Sequence, residues 1–334
     1  MVSIMFTFAL SVVSVAAFIG NALVATTFLK TRSLRTSTNY YIVNMAVSDL
    51  LASFFNWPLY ASEGMLTPNV FINEPWASSV CKMGMYFRVV SQVVSVLSLI
   101  LIAVDRFVAI VYPLKVTLMN VKIRVIFVSL TWLIPIFGAL PYVLFARIIK
   151  VEDQTFCRFM MSDEALTVFY GVGFIVFYII PLMTIIILYS LITRALKRRP
   201  KPGNLLKGQE SAKRRQQNLK ILKIFMSIVL AFFICWTPLC VYLFLKNFNP
   251  GLFPKDTCLF FVGFSFYVCP SLSTAINPVI LFAFSTNYNQ ALKSLFSSVS
   301  ALFKCSFKVG QPKESGIMAT QEVNLEMADT KLLD

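Results

Sequence analysis

The sequence predicts an all-α membrane protein, a bundle of seven transmembrane helices followed by a short amphipathic eighth helix. Three observations carry that expectation. The 334-residue chain is 57% hydrophobic and 13% charged, with mean hydropathy +0.74, whereas soluble domains carry about 25% charged residues. Its apolar residues gather into seven runs, each long enough to cross about 30 Å of hydrocarbon as a helix. Its basic residues gather in alternate connections between those runs, as in a polytopic protein oriented by charge. Net charge is +15 with no histidine. That charge sits between apolar spans, so no nucleic-acid partner is expected.

The spans are read at 5–29, 40–60, 83–110, 125–145, 166–192, 219–245 and 258–284. Residues 1–4 form a very short outer segment. The first apolar run has no basic region before it and exceeds the core of about 7–15 residues typical of a signal peptide, so it is read as a span. The stretch from Cys81 to Arg106 measures about 37 Å at about 1.5 Å per residue. It therefore carries a cysteine near one membrane face and the Asp105–Arg106 pair near the other. Pro58, Pro135, Pro181, Pro238, Pro270 and Pro278 lie inside spans. Each frees a carbonyl that neighbouring helices must satisfy. An amphipathic eighth helix is read at 285–303, and 304–334 as a disordered cytosolic tail. Cys305 is a candidate either for palmitoylation or for a free thiol.

Charge orients the bundle. The connection after the first span holds Lys30, Arg32 and Arg35, and the one after the third Lys115, Lys122 and Arg124. The connection after the fifth runs from Lys197 to Arg215 with one acid, Glu210. The opposite connections mix signs. The basic connections and the C-terminus are thus placed in the cytosol and the N-terminus outside. The basic fifth-to-sixth connection also suits lipid headgroups and an intracellular partner. Cys81 and Cys157 fall on the outer side, where disulfides persist. Bridging them would staple the outer connection to the third helix, although Cys258 lies on the same side. Cys235, Cys240 and Cys269 fall within spans and read as packing residues.

Short motifs recur, one or more per span. They are Gly20-Asn21, NMAVSDL at 44–50, Cys81 with DRF at 105–107, Trp132, Pro181 with Tyr189, CWTP at 235–238 and NPVIL at 277–281. Taken together in this order, they resemble the rhodopsin-like (class A) G protein-coupled receptors over roughly residues 16–300, and neuropeptide receptors most. The resemblance implies a plasma-membrane receptor that binds an extracellular ligand and activates a heterotrimeric G protein, with arrestin as a further partner. It implies a switch built from Asp105, Arg106, Tyr189, Trp236, Pro238, Asn277 and Pro278.

Asp49 is a lone carboxylate in mid-membrane, which must neutralise itself, pair, or bind a cation. Ser91, Ser95, Ser273 and Asn277 lie at matching depth, and several oxygens around a carboxylate suit a hard cation. The resemblance makes this a sodium pocket with Asp49 and Ser95 as main ligands; no other cofactor is expected. The alternative is a protonated Asp49 hydrogen-bonded to Asn21 and Asn277. Two departures from the family pattern stand out. Asn218 occupies the sixth-helix position where the family often carries an acid facing Arg106. Leu281 occupies the position of the family's NPxxY tyrosine.

Seven residues after Cys81, where amine receptors carry aspartate, stands Arg88, which would repel a protonated amine. Gly173 and Phe177 replace the fifth-helix hydroxyls of catechol receptors, and Ser271 replaces retinal's lysine. A ligand pocket is expected with Arg88, Gln92, Tyr60, Glu63, Lys246 and Tyr267 near its mouth, above Val89, Phe177, Leu239 and Leu243. Arg88 suits a carboxylate or another acceptor. Mixed charges at the mouth favour a short peptide. The alternatives are a small carboxylate or lipid ligand, or an Arg88–Glu63 salt bridge that merely closes the pocket. A transporter is a more remote alternative, since repeats and a polar pore stripe are not evident. With Asp49 and Asp105 far apart in depth and no histidine, an enzyme is not expected.

Overall fold

The computed structural model describes the backbone of residues 2–60, 76–112, 121–151, 154–198, 205–248 and 264–309. Two compact units are distinguished, Met1–Leu292 and Lys293–Asp334. The second is, over its described residues, the distal part of a helix ending at Val309.

The first unit is a bundle of helices in the expected order. The first helix is Val2–Lys30, the second Ser37–Tyr60 and the third Trp76–Val111. The fourth is Val121–Gly138, continued by a short turn of helix, Leu140–Phe145. The fifth runs Asp163–Phe174, passes through a π turn at Ile175–Ile179, and resumes as Ile180–Arg198. The sixth is Leu205–Phe248. The seventh follows another π turn, Phe264–Val268, and runs Cys269–Phe284. A last helix starts at Thr286 after a break at Ser285 and extends past 303 to Val309.

Among the described residues, five helices are long and apolar enough to cross a membrane. The second and seventh stand apart for different physical reasons. The second carries Asn44, Ser48, Asp49, Ser53 and Asn56, all buried in the bundle, and a helix that turns polar groups inward loses hydropathy without losing its place in the bilayer. The seventh, with Ser271, Ser273 and Asn277 buried, is apolar but short, 16 residues between a π turn and the break at Ser285.

The basic fifth-to-sixth connection is not all loop, because its residues from Leu205 onward are already helical. The outer connection between the fourth and fifth helices is not a plain loop either. It folds into an antiparallel hairpin, β1 at Ala146–Val151 and β2 at Gln154–Phe159, with Ile148 opposite Cys157. Thus a small β element interrupts the all-α bundle. Cys157 is bridged to Cys81, Cα to Cα 5.5 Å, which fixes the hairpin to the outer end of the third helix. Ser162 caps the fifth helix, accepting from the Ala165 N–H, with Asp163 and Glu164 in the first turn where the helix dipole favours acids.

The third helix packs against the second, fourth and fifth; the first packs against the second and seventh, and the sixth against the seventh. One large apolar cluster joins them. It contains Tyr41, Leu99, Ile102, Tyr189, Ile228, Trp236 and Leu281.

Candidate ligand cavity and switch residues

Helix prolines shape the inner bundle. Pro278 has no N–H, so the carbonyl of Thr274 loses its helical partner. Asn21 on the first helix donates its Nδ2 to that oxygen at 3.0 Å, and to its own helix at Ala17 O, 2.9 Å. The close approach needs Gly20, where a Cβ would lie 2.9 Å from Cβ and Cγ of Pro278. Gly20-Asn21 and Asn277-Pro278 are therefore two halves of one contact.

A second hub lies on Asn44. Its Nδ2 donates to Ser98 and Thr131 hydroxyls, both at 3.0 Å, and its Oδ1 accepts from Trp132 Nε1 at 2.7 Å. One amide thus ties the second, third and fourth helices. Trp132 and Asn44, the first residue of NMAVSDL, were each legible within a motif, whereas their pairing was not. A polar residue inside an apolar span requires a partner, but the sequence does not say which.

At the inner end Asp105 and Arg106 pair, Oδ2 to Nη2 at 2.6 Å. The same Oδ2 accepts from Thr38 Oγ1 at 2.7 Å, a second-helix contact that sequence reasoning missed. Tyr189 is 5% exposed and its hydroxyl has no partner among the described residues. Leu281 is 3% exposed in the same apolar cluster and offers it none. Tyr288, at the start of the last helix, is likewise buried, and burial pushes its phenol above the usual range.

Asp49 is 1% exposed. Its Oδ1 accepts from Ser91 and Ser95, and its Oδ2 from Asn277 Nδ2, each at 3.2 Å. Asn21 points its amide elsewhere, to Ala17 and Thr274. Ser273 donates to Pro270 O at 2.7 Å and accepts from Trp236 Nε1 at 3.2 Å, leaving one lone pair. Asp49, Ser91, Ser95, Ser273, Asn277 and Asn56 line a cavity of about 20 Å³, enough for one water-sized particle. Two buried acceptors in its lining, Asn56 Oδ1 and Asn277 Oδ1, meet no donor among the described residues. A carboxylate, hydroxyls and unsatisfied amide oxygens are the donor set of a hard monovalent cation, so the residues fit sodium.

Outward lies a second cavity of about 1070 Å³. Arg88, Gln92 and Tyr267 line it, as do Val89, Phe177, Leu239 and Leu243, all expected from the sequence. Arg88 places its guanidinium 5.3 Å from the centroid of the Tyr267 ring, a cation–π arrangement. Arg88, Gln92 and Trp236 line both cavities. Tyr60 ends the second helix and Lys246 lies in the last turn of the sixth, but their side chains lie outside the described residues, as does Glu63 altogether. The structure adds an aromatic shelf that the sequence did not reveal. Tyr142 stacks on Phe159 at 4.6 Å, and Phe169 lies 5.3 Å from Phe159. The shelf joins the fourth-helix extension, the hairpin and the fifth helix, segments that no local pattern connects.

A disulfide-pinned hairpin over an open cavity, a tryptophan beneath it and a paired arginine at the far end follow one known plan. The family described as "7 transmembrane receptor (rhodopsin family)" matches residues 20–281. The chain belongs to this family. The match begins at the glycine of the first-helix contact and ends at Leu281, so it spans the Asn44 hub, the Asp49 cavity, the Asp105–Arg106 pair and the outer cavity. This rhodopsin-family receptor is 32% identical over 300 residues to the growth hormone secretagogue receptor type 1 of Oryctolagus cuniculus, covering 86% of this chain and 78% of the relative. It is 25% identical to the neuropeptide FF receptor 2 of Rattus norvegicus over 92% of this chain and 74% of the relative. It is 28% identical to the substance-K receptor of Bos taurus over 84% of this chain and 72% of the relative. The receptor is a multi-pass membrane protein of a receptor family, not of an enzyme family.

Proposed function

We propose that this receptor takes a short extracellular peptide into its outer cavity and passes occupancy to a heterotrimeric G protein, with arrestin as a second intracellular partner. The observation that carries the reading is the cavity itself. At about 1070 Å³ it exceeds the usual span of about 300–1,000 Å³ for small-ligand sites. Its lining combines Arg88, Arg158 and Glu164 with aromatic rings, as a zwitterionic chain with apolar side chains requires. One similar protein, the rat relative above, is named for a neuropeptide, which supports the same class. The N-terminus and hairpin face outside, because the disulfide belongs in an oxidising compartment and the basic connections belong in the cytosol against lipid headgroups.

In this reading Arg88 receives a carboxylate or amide oxygen of the peptide. Peptides in amidated and free-acid forms, assayed by nucleotide exchange on a G protein, test it. Arg88→Ala should cost an active peptide about 2–5 kcal/mol, the range for truncating one member of a buried charge pair. An analogue lacking the acceptor should bind wild type and Arg88→Ala equally. An equal loss in both receptors on removing the acceptor would show that Arg88 is not its partner.

A sodium ion held by Asp49 and Ser95, with Ser91, Ser273 and Asn277 around them, would supply the positive charge that the buried carboxylate lacks. If the ion and an agonist favour different states, each weakens the other. Agonist affinity should fall in sodium relative to a bulky monovalent cation at equal ionic strength, and Asp49→Asn should remove the difference. No sodium dependence in wild type would defeat this part of the proposal.

A further inference from the structure

The outer cavity opens sideways as well as outward. Its lining includes Gly138 on the fourth helix and Val168, Val172 and Val176 on the fifth. These residues also lie on the outside of the bundle: the valines are 65%, 54% and 41% exposed, and Gly138 is exposed. Residues that line a cavity and face outward mark its mouth. The valines recur at four-residue spacing and so share one face of the fifth helix. That helix begins at Asp163, so at about 1.5 Å per residue Val168 lies about 8 Å and Val176 about 20 Å below its start. The mouth therefore opens within the outer part of a hydrocarbon core about 30 Å thick.

Two glycines keep the mouth clear. A Cβ on Gly138 or on Gly173 would find no atom within 4 Å, and both positions line the cavity. The π turn at Ile175–Ile179 lies beside it, and Phe177 and Tyr178 from that turn also line the cavity. Behind the mouth stand Val89 and Val93 of the third helix, and Val93 is 3% exposed. Of the charged lining residues, Arg158 and Glu164 belong to the hairpin and the first turn of the fifth helix, outward of the valines, and Arg88 lies on the third helix, away from the mouth residues of the fourth and fifth. The opening is thus apolar at a depth where the surrounding solvent is lipid tails.

We propose that this opening is a lipid site, in which one acyl chain of a membrane lipid inserts between the fourth and fifth helices and ends against Val89 and Val93. The occupant follows from depth and lining together: hydrocarbon is what lies at the mouth, and the walls offer it valine, glycine and aromatic carbon. The acyl chain would share the outer cavity and Val89 with the peptide reading, but it stands or falls apart from it, since a chain entering from the bilayer needs neither Arg88 nor an extracellular ligand.

The test uses the full chain in nanodiscs of phosphatidylcholine, a fraction of which carries a diazirine on its acyl chain. After irradiation, adducts are mapped by peptide mass spectrometry. Labelling is expected on Val89 and Val93 of the third helix, in addition to outward residues such as Ile234, which is 69% exposed on the sixth helix. Gly138→Leu and Gly173→Leu together should abolish the third-helix adducts and leave the Ile234 adduct unchanged, which also reports an intact bundle. Adducts confined to outward-facing residues in the unmodified receptor would overturn the proposal. So would third-helix adducts that persist undiminished in the double variant. If the double variant does not fold, the map of the unmodified receptor decides.

Discussion

The inner half of the bundle is closed by short polar contacts, whereas the outer half between the third, fourth and fifth helices is held apart. Two glycines show the difference. At Gly20 the Pro278 ring lies where a side chain would begin, while at Gly173 there is open space. The same residue type serves close approach in one place and emptiness in the other. A rigid inner knot with a spacious outer cavity lets a ligand be admitted without loosening the bundle that responds to it.

The largest expected effect comes from cutting the inner knot. Asn44→Leu keeps the branching at Cγ but leaves Trp132 Nε1, Ser98 and Thr131 without their shared partner. With a cost of about 1–3 kcal/mol for a buried group left unpaired, and smaller values common between membrane helices, a loss of about 3 kcal/mol is expected. Thermal unfolding in detergent would measure it, and an unchanged midpoint would mean that the hub is not what closes the inner half.

Next comes Gly20→Ala. Overpacking by one methyl group should cost about 1–3 kcal/mol, read in the same melting experiment. Neutral behaviour would place the first and seventh helices further apart in solution than 2.9 Å at this point allows.

Thr38→Val should cost less and act on signalling. It removes one of the two groups that hold Asp105 while leaving the Arg106 pair in place. A hydrogen bond to a charged group contributes about 1.5–3 kcal/mol, and part of it should appear as raised basal nucleotide exchange. With Asn218 where an acid often stands, this contact has no obvious substitute on the sixth helix. Basal exchange equal to wild type would assign Thr38 to packing alone.

The smallest effect, and of opposite sign, is expected at Gly173. Alanine is favoured over glycine in helices by about 1 kcal/mol, and here it meets no atom. Gly173→Ala should therefore leave the melting temperature unchanged or raise it slightly. A marked loss would show that the outer half is packed as tightly as the inner, and the contrast between the two regions would fail.

Seven spans, their order and the motifs within them were readable from hydropathy and residue type, because transfer into lipid is a property of each residue in its own stretch of chain. Asp49, Asp105 and Arg106 could be singled out for the same reason, since charged groups at membrane depth are costly, whereas Trp236 stood out through the resemblance of its CWTP motif. Cys81 and Cys157 were readable as outer cysteines, but Cys258 competed for the pairing until the hairpin brought Cys157 to 5.5 Å. Only the tertiary structure decided which distant groups meet. Asn44 finds Trp132 across 88 positions, Asn21 the Thr274 carbonyl across 253, and Asp105 finds Thr38 across 67. Such contacts depend on helix rotation and packing distance, and hydropathy is blind to both. The lateral mouth between the fourth and fifth helices was hidden for the same reason. A glycine reads alike in sequence whether its missing side chain makes room for a proline or for nothing at all.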